Sequence, residues 1–240
     1  MNKLGTFIAA TTIAIAYNAL PAAAQSGCPV TTEYLRTQLK AAALADGTGL
    51  NNDYWAVVVN RAGVVCAVAY SGAKVTDQWL LSRQIAAAKA FTANGLSLNG
   101  GPVSTAMLYP WVQPGAAPNP LFGLAGGNPV DAEKAYAGSA NNYGTVNDPM
   151  VGKRVGGTIT FGGGLGLYSG STAIGGLGLS GDTACADHST AWRLRDLLTM
   201  EPPKTGGYTG DEIILDAAYH PHCPLDTGTV GTAPVPPPAP

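Results

Sequence analysis

The stretch from Gly156 to Arg195 constrains this chain more than any other. Two near-identical runs, Gly163-Gly164-Leu165-Gly166-Leu167 and Gly175-Gly176-Leu177-Gly178-Leu179, flank a Ser-Gly-Ser-Thr turn. They read as two apolar, glycine-spaced strands, and a helix carrying Asp187-His188 at its start follows. Glycine inside a strand marks a place where another backbone or a ligand comes close. Here that is either the helices of the domain or a flat ligand, so the pattern points to a small-molecule pocket without naming its occupant.

The rest of the chain sets the frame. Lys3, the apolar run Leu4 to Leu20 and the small residues Ala22-Ala23-Ala24 form a secretory signal peptide over residues 1–24. The competing reading, a membrane anchor, needs about 20 apolar residues and a stop-transfer flank. The expected mature chain starts near Gln25, is soluble, and is periplasmic or secreted. Residues 25–227 make one domain long enough to bury a core, and residues 228–240 form a Pro-rich disordered tail. Charged residues are 12 % of the chain and the formal net charge is −2. That excludes the basic stripe nucleic acid requires and argues against anionic membrane surfaces.

Periodicity supplies the elements. Leu35, Leu39, Ala42 and Ala43 recur at helical spacing over Thr31–Ala45. Trp55–Val59 and Val64–Tyr70 form a hairpin around Arg61-Ala62-Gly63. Asp77 caps a helix through Phe91 that Asn94-Gly95 ends in the left-handed conformation. Thr158–Phe161, Gly164–Tyr168 and Ala173–Leu179 supply further strands, and the last helix runs from about Ala184 to Thr199. Gly100–Val155 lacks regular pattern but carries Tyr109, Trp111, Phe122, Tyr136 and Tyr143, which favours an ordered loop packed on the domain. The order of elements gives an α+β fold with a mainly antiparallel sheet of about five strands.

Motifs for common chemistries are weak or broken. Gly176-Leu177-Gly178-Leu179-Ser180-Gly181 satisfies G-x-G-x-x-G, but its glycines lie within a strand rather than in the turn after one. Gly178 to Asp182 fails G-x-S-x-G because Asp182 replaces the last glycine. His220-Pro221-His222-Cys223 looks like a metal cluster, yet two imidazoles do not make a stable site, and a solvated tail is the plainer reading. His188 shares a helical stripe with Trp192 and Arg195, and at a helix N-terminus its imidazole leans neutral, which suits a metal ligand or a base. The plainer alternative is a packed or exposed side chain. Lys89 sits among alanines with room for a ligand carboxylate, or is an exposed lysine. Arg83 is a second cation for the same task.

Four cysteines in an exported chain read as two disulfides. If helix 31–45 runs antiparallel to strand 55–59, Cys28 falls close to Cys66, which leaves Cys185 to Cys223; other connectivities are open on counting alone.

The run Gln84-Ile85-Ala86-Ala87-Ala88-Lys89-Ala90-Phe91-Thr92-Ala93 resembles the lysine helix of the GlcG/HbpS family of haem-binding proteins. The glycines from Gly156 through Gly164 and the run Ile174 to Asp182 resemble that family's glycine-rich strand, and Asp187 falls on the acid that opens its last helix. The likeness covers about Thr31 to Leu198. It implies a profilin-like α/β/α sandwich, frequent homo-oligomerisation, and non-covalent binding of haem or a related tetrapyrrole. Members of that family share no single axial ligand, so the ligand is read from this chain's own residues: His188 is the candidate metal ligand, Lys89 or Arg83 meets a carboxylate, and Asp187, Gly176 and Gly178 line the pocket. The alternative is an enzyme acting on a small organic acid of glycolate-type metabolism. The signal peptide, the cysteines and the long loop depart from the family pattern and mark an exported, disulfide-stapled branch.

Overall fold

A computed structural model describes residues 27–114, 128–216, 219–225 and 232. The expected signal peptide, Phe122 and nearly all of the Pro-rich tail lie outside the described residues.

Helix α1 spans Thr32–Leu44; Thr31 caps it by accepting the N–H of Tyr34, and Leu35, Leu39 and Ala42 are buried. Strands β1 (Trp55–Asn60) and β2 (Val65–Tyr70) pair antiparallel and are buried at every position. The Asn60 side chain accepts the N–H groups of Ala62 and Val64, and Gly63 takes the positive φ that closes the turn. Helix α2 is Ser82–Leu96 and a short α3 is Ala132–Ala135. Strands β3 (Gly164–Ser169) and β4 (Thr172–Ser180) form the second hairpin, and helix α4 (Ala184–Leu197) closes the domain.

Among the described residues four strands, in the order β2-β1-β4-β3 and all antiparallel, make the sheet. Because strand side chains alternate faces, Ala56, Val58, Leu165, Leu167, Leu177 and Leu179 share one core with α1 and α4. Trp55, Val57, Val59 and Val68 face α2 and the long loop. The molecule is an α/β/α sandwich.

The same alternation sorts the glycine runs. Their leucines enter the α1/α4 core, and Gly164, Gly166, Gly176 and Gly178 turn to the other face. A Cβ on Gly178 would strike the carbonyl of Ala86 and the amide of Ala90; one on Gly176 would strike the carbonyl of Ala90. Helix α2, with Ala86, Ala87, Ala90 and Ala93 buried, therefore lies backbone to backbone on a glycine floor.

The sheet has one strand fewer than expected. Residues 158–161 do not pair, because Thr92 on α2 serves them: its Oγ1 accepts the N–H of Ile159 at 3.0 Å and donates to Ala88 O, with a long contact to Gly157 O. Helix α2 also starts four residues later than expected, capped at Leu81 instead of Asp77, and runs through Gly95 to Leu96. Asp77 caps a preceding turn at Lys74, while Gln78 and Trp79 are drawn off by bonds from their side chains to Gly181 O, with Gln78 also reaching Asp53 O.

The described parts of the long loop pack on the domain. Arg83 is 1 % exposed and organises them, donating to Ala135 O and, through both terminal nitrogens, to Asp148 at 2.6–2.7 Å. Its guanidinium lies over the rings of Tyr143 and Trp55. Met150 and Val155 enter the core on that face, while Trp111 is 52 % exposed.

Candidate functional site

Helix α4 begins with Thr183 accepting the N–H of Ala186, and Asp182 just before it accepts the N–H groups of Leu50 and Asn52. The helix buries Cys185, Asp187, His188, Ala191 and Arg195.

Asp187 and Lys89 form a buried ion pair at 2.6 Å that ties α4 to α2 across the sheet edge. The other Asp187 oxygen accepts the N–H of Asp182, and the Lys89 ammonium sits 4.8 Å from the centre of the Phe161 ring. Burial pushes Asp187 up to about 6 against the pull of Lys89. Burial also lowers Lys89 against the pull of Asp187. Gly163, at φ +115°, lets the chain pass over the pair; a Cβ there would come within 2.8 Å of the ammonium. Lys89 and Arg83, expected to offer charge to a ligand carboxylate, are thus each bound to a carboxylate of the protein itself. Gly176 and Gly178, expected under a planar ligand, are under α2.

His188 is the exception to this internal pairing. It is 0 % exposed, and neither ring nitrogen has a hydrogen-bond partner among the described residues. Its ring lies 5.9 Å from that of Trp192. Burial, with His220 nearby as the next cause, lowers it to about 3, so the imidazole is neutral. Burial therefore outranks the helix terminus that the sequence points to as the cause of neutrality.

Three residues that the sequence did not assign to the site lie in its neighbourhood. Arg195 pairs with Asp211 at 2.6 Å and stacks on Trp192. His220, expected in a solvated tail, is 1 % exposed: its Nε2 accepts the N–H of Gly162 at 3.0 Å, which leaves the proton on Nδ1 to be donated to Pro221 O. Burial lowers His220 to about 4. Tyr109 packs its ring 5.1 Å from His220. The signal for this placement was the Cys185–Cys223 pairing already expected from the sequence. The structure joins Cys28 to Cys66 and Cys185 to Cys223, the expected pairs, and the second bond carries residue 220 to the start of α4.

Among the described residues no group of three or more His, Cys, Asp or Glu could hold a metal ion. A surface cleft of about 400 Å³ lies between Leu50, Trp79, Asp182 and Thr183, apart from the imidazole.

These shifts set a pH dependence. His188 and His220 titrate below their ordinary 6.5 in the folded protein, so the unfolded chain takes up protons first and stability is lost as pH falls from 6.5 toward 4. Asp187 works the other way: its raised value contributes stability below 3.8 that is lost as pH rises through about 6. Two imidazoles against one carboxyl leave a net loss on acidification, on the order of 1 kcal/mol per pH unit between pH 6 and 4. Urea denaturation at pH 7, 6, 5 and 4 reads it. His188→Leu, which removes two desolvated, unpartnered nitrogens, is expected to flatten that slope and to raise stability at pH 7 by about 1–3 kcal/mol.

No family model matches the chain, and no curated protein matches it. It is similar to a solved structure described as a PduOC:heme complex, with 23 % identity over 70 % of this chain and 91 % of that one and a TM-score of 0.47. It is also similar to the Klebsiella pneumoniae protein ORFY, which carries the family label DUF336, with 23 % identity over 71 % and 90 % and a TM-score of 0.45.

Proposed function

We propose that this is an exported protein that binds haem or a related tetrapyrrole non-covalently, with His188 as the nitrogen ligand, in haem capture, turnover or redox sensing. The observation that carries this reading is the buried, neutral imidazole with both nitrogens unpartnered. Buried polar atoms without partners are rare and mark an unfilled role, and neutral imidazole is the form that ligates metal. The donor fits; the cations and the glycine surface do not, since all are engaged by the protein. The pocket is therefore sought on the His188 side of α4, beside Trp192, away from the glycine floor. A bound haem would supply one-electron chemistry at its iron. Two disulfides suit an oxidising compartment, and no helix among the described residues is long and apolar enough to cross a membrane.

The enzyme alternative draws on Asp187 and Lys89, an acid/base pair shifted by burial. The two are sealed and bonded to each other, which favours the imidazole as the working group.

Equilibrium titration with haemin, with and without a small dithiol, tests the proposal. A Soret band should appear on binding, and His188→Ala should weaken affinity at least tenfold and move the band maximum. An unchanged affinity and spectrum in His188→Ala removes it as ligand, and absence of binding by the wild type under both conditions overturns the reading.

A further inference from the structure

Cys185, His188, Trp192 and Arg195 succeed one another at spacings of three, four and three, which places them in one stripe along α4. The segment that follows the helix returns along this stripe and is fastened at both ends. Asp211 holds Arg195 through two hydrogen bonds at 2.6 and 3.0 Å, and Cys223 is bonded to Cys185. Between the fastenings His220 is anchored on Gly162, whose own Cβ position would lie 2.9 Å from Cβ of His188. Beyond the disulfide, the N–H of Leu225 donates to Thr48 O at 3.1 Å. Cys185 and Arg195 are bonded to this segment and Trp192 stacks under Arg195. His188, between them, is fully buried, and its ring nitrogens have no hydrogen-bond partner among the described residues.

We propose that residues 211–216 and 219–223 form a strap that seals His188, that the Cys185–Cys223 disulfide is its latch, and that reduction of the latch exposes the imidazole to its ligand. This inference rests on the reading of His188 as a ligand-binding group and adds its regulation. The asymmetry of the fastenings sets the direction of opening. The Arg195–Asp211 pair is fully buried and stays closed as the hinge. At the other end, once the sulfurs part, the segment keeps neutral contacts, among them the Gly162 N–H bond to the His220 imidazole, the Tyr109 ring beside it and the Leu225 N–H bond to Thr48 O. The chemical step is exchange with a dithiol. One thiolate attacks a sulfur of the pair, the S–S bond breaks, and the second thiol resolves the mixed disulfide. Cys185 and Cys223 leave as thiols with two electrons and two protons, and the dithiol leaves as its own disulfide. The Cys28–Cys66 bond joins the start of α1 to β2 on another part of the domain and has no part in the latch.

The test is the reactivity of His188 toward diethyl pyrocarbonate, read by peptide mass mapping, so that it needs no haem. In the oxidised wild type His188 should stay unmodified; in Cys185→Ser/Cys223→Ser, and in the wild type after native dithiothreitol treatment, its modification rate should rise at least tenfold. Cys28→Ser/Cys66→Ser should leave it at the oxidised level. Equal rates with and without the latch overturn the strap, as does an equal rise in Cys28→Ser/Cys66→Ser, which would show general loosening. Hydrogen exchange guards against loss of fold: after reduction the amides of β1 and β4 should remain protected while those of Gly162 and residues 219–223 exchange faster. Exchange of all of them together overturns the proposal. The two readings fail separately. If the strap opens and haemin still does not bind, the haem assignment falls; if haemin binds the oxidised and the latch-free protein at the same rate, the strap falls.

Discussion

Gly178→Ala is expected to destabilise the protein by about 3 kcal/mol or more, at the upper end for an overpacked core. The added Cβ meets the carbonyl of Ala86 and the amide of Ala90, both backbone groups of α2 that cannot rotate aside. Strand β4 cannot retreat either, because it is hydrogen-bonded to β1 on one side and β3 on the other. Gly95→Ala is the control. It lies inside α2 with nothing near its Cβ position and with no positive φ, so it should stabilise by about 0.5–1 kcal/mol through helix propensity. Urea denaturation with the two variants side by side reads the contrast. A Gly178→Ala protein as stable as the wild type would mean that α2 does not rest on the glycines.

Lys89→Met should cost about 3–5 kcal/mol at pH 7, because it leaves Asp187 charged, buried and without its cation. The carboxyl then takes a proton more readily, so the loss should shrink as the pH is lowered. Lys89→Met/Asp187→Leu should recover most of the stability, since a buried ion pair and a well-packed apolar pair are close in free energy. A double-mutant cycle measures the coupling. Additive losses in the double variant would show that the two side chains do not depend on each other, and the pair would lose its role in tying α4 to α2.

Much of this architecture is written in local pattern. The bounds of α1, the β1–β2 hairpin, β3, β4 and α4 follow from apolar spacing and turn residues, because a period of 3.6 or of 2 is a short-range property of the chain. The disulfide pairs follow from the same elements once α1 is laid antiparallel to the first hairpin. Where the expectations missed, a distant group had taken over. Gln78 and Trp79 are held by Gly181 O, so the helix expected at Asp77 waits until Ser82. Residues 158–161 are served by Thr92, so they do not become a strand.

The site divides along the same line. Local sequence specifies which residues carry charge or an imidazole at the start of α4 and on α2, and it places glycine on alternate positions of two strands. Tertiary structure alone decided their partners. Asp148 takes Arg83, Asp187 takes Lys89, and α2 takes the glycine floor, because each partner arrives from a stretch far away along the chain and wins by proximity in a dry interior. His188 is neutral because it is fully buried, and Cys223, from far downstream, is bonded to the start of its helix. Desolvation depends on what covers a group, and no local pattern around His188 encodes its cover.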